Sequence, residues 1–128
     1  MTRIAVVNDD TVFLDMMAAV LEEQGWRVTT HREGDKAYDE LKADPPHLII
    51  LDIRMESPET GWNVLELLTL DRELRHIPVI VCSAAVRDLR EHQDWLMQNG
   101  ISVLPKPFNL DQLYETVNAS LSPHRGDA

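Results

Sequence analysis

The chain has 128 residues, 44% of them apolar, which points to one compact domain with a core of its own. Its 22 acidic residues outweigh 12 scattered basic ones for a net charge of −10, so the basic footprint that a nucleic-acid backbone demands is missing and direct DNA or RNA binding is excluded. No apolar run reaches the roughly 20 residues of a membrane span, the start MTRIAVVNDD lacks the features of a secretory signal, and the single cysteine, Cys82, can form no internal disulfide; a cytoplasmic protein is predicted.

The first apolar run, Ile4–Val7, predicts a strand, and Met16, Met17, Val20 and Leu21 then place an apolar stripe on a helix that Gly25 stops. Trp26–Thr29 predicts a second strand, and Asp44-Pro45-Pro46 ends the helix that follows it, because a residue before proline is biased out of the helical region. Leu48–Leu51 is the third strand, with Val64, Leu65, Leu67 and Leu68 on the next helix. Val79–Cys82 is the fourth. In the fourth helix Val86, Leu89, Leu96 and Met97 share one face, and Trp95 points nearly opposite, either exposed as an anchor for a partner or packed locally against a neighbouring helix edge. Ile101–Leu104 is the fifth strand. Asn109 caps the last helix with Gln112 three residues on, and Leu110, Leu113, Val117 and Leu121 form its buried face.

The first, third and fourth runs are continuous in Val, Ile and Leu rather than alternating, as suits strands buried on both faces of a parallel sheet. Strands alternating with helices five times predict an α/β fold, a flavodoxin-like doubly wound five-stranded parallel sheet, (βα)5. The domain spans residues 1–121, and Ser122–Ala128 reads as a short polar tail. Cys82, Met16 and Met17 are expected in the core, and His31, His47, His76, His92 and His124 show no metal-ligand spacing.

Ligands of such a sheet gather beyond the carboxyl ends of its strands. Those ends carry Asn8-Asp9-Asp10, Asp52, Ser83 and Lys106. Carboxylates brought to one edge need a cation among them, and an all-oxygen site favours Mg²⁺, with Mn²⁺ as the alternative. A carboxylate can also take up a phosphoryl group as a nucleophile, with the metal, the Lys106 ammonium and the Ser83 hydroxyl neutralising the phosphoryl oxygens. Taken singly, an Asp at a strand end is more often a helix cap, a Ser a turn former and Lys-Pro a bend. Their joint occurrence in order at four strand ends is what argues for chemistry.

Over essentially its full length the chain resembles response-regulator receiver domains. The match is carried by Ile4-Ala5-Val6-Val7-Asn8-Asp9-Asp10, Ile50-Leu51-Asp52-Ile53-Arg54-Met55, Pro78-Val79-Ile80-Val81-Cys82-Ser83-Ala84 and Leu104-Pro105-Lys106-Pro107-Phe108. The resemblance implies a stand-alone bacterial switch of a two-component or phosphorelay system, in which Asp52 takes a phosphoryl group from a phosphohistidine on a sensor histidine kinase or phosphotransfer protein. It further implies metal ligation by Asp9, Asp52 and the backbone carbonyl of Arg54, with Asn8 and Asp10 as further candidates. Ser83 and Lys106 would contact the phosphoryl group, and Lys106–Pro107 would be cis. Such a protein catalyses only its own phosphotransfer and autodephosphorylation, and is otherwise no enzyme. Its output would pass to a downstream protein, or to a second copy in a homodimer, through the face of the fourth helix, fifth strand and fifth helix, with Trp95 the candidate anchor.

Three positions depart from the family pattern. Asn8 stands where the first acid of the pair is usual; the loop after Asp52 brings Gly61 one residue late, with Glu56 and Glu59 in it; and Val103 occupies the place of a customary aromatic. These departures keep open the alternative of a pseudoreceiver, a phosphorylation-independent interaction module. Two other classes fit less well. A haloacid-dehalogenase-like phosphatase would need its nucleophile at Asn8, and a flavodoxin would need a phosphate loop where Asp9-Asp10 stand.

Overall fold

A computed structural model describes residues 2–53, 58–84 and 86–121. Arg54, Met55, Glu56, Ser57, His124 and the Ser122–Ala128 tail lie outside the described residues, as do the side chains of Glu59 and Val86. Among the described residues the elements run β1 (Arg3–Val7), α1 (Thr11–Glu23), β2 (Arg27–His31), α2 (Gly34–Ala43), β3 (Leu48–Leu51), α3 (Pro58–Leu70), β4 (Val79–Ser83), α4 (Val86–Glu91), α5 (Gln93–Gln98), β5 (Ser102–Pro105) and α6 (Leu110–Leu121). All five strands are parallel, in the order β2-β1-β3-β4-β5. This is the expected flavodoxin-like sheet.

Alternation along each strand sorts the apolar side chains into two cores. Ala5, Val7, Ile49, Leu51, Val79 and Val81 face α2 through α5, where Leu41, Leu65, Leu68 and Leu96 meet them. Ile4, Val6, Leu48, Ile50, Ile80 and Cys82 face α1 and α6, against Met17, Leu21, Leu113 and Val117. Continuous apolar runs are therefore required: in β1, β3 and β4 neither face meets water.

The punctuation falls as the residues predict. Gly25 ends α1 at φ +92°, the left-handed region where a Cβ is unwelcome. Asp44 ends α2 ahead of the two prolines. Asn109 and Gln112 close a reciprocal capping box: Gln112 N–H donates to Asn109 Oδ1 at 2.8 Å and Asn109 N–H to Gln112 Oε1 at 2.9 Å.

The helices depart from expectation in detail. The fourth helix is two short ones, because the His92 ring lies 2.9 Å from the carbonyl oxygen of Asp88, which His92 N–H also approaches at 3.2 Å, and His92 leaves helical geometry at ψ 13°. Of the two readings of Trp95, local packing against a neighbouring helix is the one that holds. It packs half-buried on the core beside α3, edge-on to Trp62 at 6.5 Å, while Met97 is 70% exposed. Trp62 also stacks on His92 at 4.0 Å, so this aromatic cluster turns α5 and rotates Met97 out to solvent. Met16, Leu67 and Leu110 lie at the edges of their helical stripes and are 40%, 45% and 46% exposed rather than core.

One lock escaped the sequence reading. Asp71, after α3, accepts hydrogen bonds from the Tyr38 hydroxyl and from Lys42 Nζ at 2.8 Å, and its other oxygen takes the N–H groups of Glu73 at 2.8 Å and Leu74 at 3.3 Å. This ties α2 to the turn before β4. The Lys42 ammonium and the Tyr38 hydroxyl hold the Asp71 carboxyl well below the usual carboxylate range.

Candidate functional site

The sheet changes winding direction between β1 and β3, and chain ends diverge there to leave a crevice. Asn8 and Asp52 are the first residues beyond those two strands. Asn8 is 1% exposed and Asp52 8% exposed. The ladder hydrogen bonds continue to this edge: Asp52 N–H donates to the Val7 carbonyl and Asn8 N–H to that of His31, each at 3.0 Å. Both side chains thus stand on fixed backbone.

A carboxylate this buried needs donors around it. Asp52 Oδ2 takes a hydrogen bond from Asn8 Nδ2 at 3.1 Å and pairs with Lys106 Nζ at 3.3 Å. Lys106 arrives from beyond β5, where its N–H donates to the Ser83 carbonyl at 3.0 Å and its bond to Pro107 is cis. Ser83, 1% exposed, ends β4 directly beside β3. Asp52, Ser83 and Lys106, singled out from four distant stretches of sequence together with Asn8, therefore meet at one edge.

The acidic loop is ordered by its own side chains. Asn8 turns its amide oxygen to the N–H of Asp10, at 2.9 Å, which leaves its NH₂ for Asp52. Exchanging the two ends of the amide would set oxygen against oxygen and N–H against N–H. Asp10 Oδ1 caps α1 through the N–H groups of Val12 at 3.0 Å and Phe13 at 3.3 Å. Asn8 and Asp10 thus both help to hold the loop. Asp9 is exposed on the rim, beside Arg32 and Glu33 of the loop after β2 and Asp35 and Lys36 in the first turn of α2.

Among the described residues no three His, Cys, Asp or Glu side chains are grouped to hold a metal. The carboxylates of Asp9 and Asp52 on adjacent strand ends offer an all-oxygen donor set. That chemistry fits Mg²⁺, which keeps several waters and needs only one or two carboxylates. Arg54, whose carbonyl was expected to join them, lies outside the described residues.

Two neighbours were not singled out. The Phe13 ring lies under Lys106 Nζ, 4.3 Å from the ring centroid, and packs edge-on against Phe108 at 6.5 Å. Nothing in Thr11-Val12-Phe13-Leu14 marks this contact, because it depends on where α1 sits against the segment after β5. Behind the site, burial pushes the Cys82 thiol up to about 12, with Asp52 adding to the shift and Lys106 opposing it. Cys82 is a neutral core residue, as its apolar run predicts. On the far flank Gly61 rests on Ile53, the residue after Asp52, so closely that a Cβ would collide with the Ile53 backbone. Gly61 makes this contact despite standing one residue late in the sequence.

Comparison with known proteins agrees with this geometry. The profile of the response regulator receiver domain matches residues 4–118. The polar-differentiation response regulator DivK of Brucella ovis is 30% identical over 127 residues, which cover 98% of this chain and 97% of the relative. Among solved structures, a CheY-like response regulator receiver domain protein from Methanospirillum hungatei JF-1 superposes with a TM-score of 0.86 at 22% identity, covering 100% of this chain and 99% of that one. The receiver domain of a sensor histidine kinase from Pseudomonas aeruginosa PAO1, solved with a magnesium ion coordinated in its active-site cleft, gives a TM-score of 0.80 at 23% identity over 94% of this chain and 98% of that one.

Proposed function

Because this chain belongs to the response regulator receiver domain family of two-component signalling, we propose that it is a phosphorylation switch in which Asp52 accepts a phosphoryl group from a phosphohistidine. The observation that carries this reading is the setting of Asp52. A buried carboxylate stands at the sheet's switch point, paired with Lys106 at 3.3 Å and flanked by the strand end that bears Ser83. An Asp52 oxygen would attack phosphorus in line as the P–N bond of the donor breaks. Lys106 and the Ser83 hydroxyl would then neutralise the oxygens of the transferred group. Mg²⁺ held by Asp9, Asp52 and the carbonyl of residue 54 would shield the charge between carboxylate and phosphoryl group.

In this reading the protein turns over nothing but its own phosphoryl group. Its donor is a sensor histidine kinase or a phosphotransfer protein in the cytoplasm. No helix among the described residues is long and apolar enough to cross a membrane. The output leaves through the face of α4–α5, β5 and α6. There Met97 and Val103, 70% and 37% exposed, present the apolar surface that Trp95 was expected to supply.

A second reading has one observation in its favour. Asn8 and Lys106 already satisfy Asp52 without a metal, which suits a pseudoreceiver that binds partners in a single state. Incubation with acetyl phosphate and Mg²⁺ separates the two. A base-labile, acid-stable phosphoryl adduct seen by mass spectrometry, and absent in Asp52→Ala, supports the switch. No adduct and no spectral response to beryllofluoride supports the pseudoreceiver.

A further inference from the structure

The ammonium of Lys106 is held from two sides. Asp52 Oδ2 is 3.3 Å away on one side, and on the other the face of Phe13 lies 4.3 Å away at its centroid. The ring itself is fixed at both ends. Asp10 caps its backbone N–H at 3.3 Å, and the ring of Phe108, two residues beyond Lys106, meets it at an interplanar angle of 88°. Phe13 is therefore clamped between the start of α1 and the same segment that delivers the lysine.

The chemistry of this contact differs from that of a third polar partner. A lysine side chain is long and flexible, and Lys106 remains 26% exposed, so the carboxylate alone leaves it free to swing toward water. An aromatic face attracts the charge of an ammonium through its quadrupole while accepting none of its protons in a strong hydrogen bond. It holds the cation in place and leaves the N–H groups to oxygen. That is what transfer demands. Asp52 forms a new P–O bond as the donor's P–N bond breaks, the donor imidazole leaves with the bonding pair and is protonated by solvent, and the phosphoryl oxygens enter the space beside Nζ. The ammonium must then move from a carboxylate oxygen to a phosphoryl oxygen without leaving the pocket.

We propose that Phe13 is a positioning residue for phosphoryl transfer, acting through Lys106. The inference rests on the reading of Asp52 as phosphoacceptor. It adds a requirement that the residues Asp52, Ser83 and Lys106 do not by themselves contain: a π face at position 13.

The test uses the full chain with phenylalanine analogues carrying one, two or three ring fluorines at position 13, which keep shape and apolarity while draining the ring face of charge. Acetyl phosphate with Mg²⁺ is the donor, and the rate of adduct formation at Asp52 is read by mass spectrometry. The rate should fall stepwise with fluorination, to about three- to fivefold below wild type in the trifluoro protein and in Phe13→Leu, with Phe13→Tyr restoring it. In a Lys106→Ala background the same changes at 13 should have no effect. In proteins labelled at lysine, the Lys106 ε-methylene protons should resonate upfield in wild type and lose that shift in Phe13→Leu. A rate that ignores fluorination while the wild type is phosphorylated normally overturns the role of Phe13 and leaves Asp52 standing. A wild type that takes up no phosphoryl group removes both.

Discussion

Replacing Asn8 by aspartate asks what keeps Asp52 in place at rest. The substitution is nearly isosteric but removes the NH₂ that donates to Asp52 at 3.1 Å. A hydrogen bond to a charged, buried acceptor contributes about 1.5–3 kcal/mol. In its place two carboxylates face each other, and two like charges about 4 Å apart repel by roughly 4 kcal/mol at an effective dielectric of 20. Attraction of the new charge to Lys106 and some relaxation offset part of this. A net loss of about 2–4 kcal/mol, or roughly 8–15 °C in Tm for a domain of this size, is expected in chelator. A divalent ion reverses the sign, since the added carboxylate then joins the negative end of the cation site. Mg²⁺ should bind at least tenfold more tightly, a difference of about 1.4 kcal/mol. Thermal unfolding in EDTA and a calorimetric Mg²⁺ titration read both effects. A variant as stable as wild type in EDTA, with unchanged Mg²⁺ affinity, would refute the view that Asn8 substitutes a donor for a charge in this pocket.

Asp71→Asn should lower Tm near neutral pH by loosening α2 from the turn before β4. The folded-state pKa of Asp71 is depressed, so its stabilisation is present above the ordinary carboxylate value of about 3.9 and fades as pH falls through the depressed one. The gap in Tm between wild type and variant should therefore shrink below about pH 4, and a gap independent of pH would contradict the ion-paired reading. Gly61→Ala should destabilise the fold in urea titration even though alanine is the better helix former by about 0.5–1 kcal/mol. The collision with Ile53 is of the overpacking kind that costs about 1–3 kcal/mol, and a more stable variant would show that α3 simply shifts. Cys82, neutral and 1% exposed, should resist iodoacetamide at pH 8 in the native chain and react only in denaturant.

The strand ends that bear Asp52, Ser83 and Lys106 were legible because each follows a short apolar run, and strand ends of a doubly wound sheet converge. Asn8 was visible as a departure. Its actual role as a donor to Asp52 was not, since that depends on which end of the amide the Asp10 N–H captures. Helical periodicity placed Leu89 and Leu96 inside but lost the phase of Trp95 and Met97. The break at His92 shifts the phase of the period for the residues around Leu96, and it comes from a ring reaching a carbonyl one turn back and from Trp62 arriving from another helix. Phe13 and Asp71 were illegible for a similar reason: each matters through a partner far away in sequence, Lys106 in one case and Tyr38 in the other.

The stack of Trp62 on His92 also gives the protein an optical gauge of its own. Trp62 follows Gly61, Gly61 rests on Ile53, and Ile53 follows Asp52, so the indole is only a few rigid contacts from the carboxylate. An imidazole in face contact dims indole emission. Any displacement of α3 against the break between α4 and α5 changes the light given off at that position. With Trp26 and Trp95 replaced by phenylalanine, an unlabelled sample would report the seating of α3 against that break in a fluorimeter, in real time and without a partner protein.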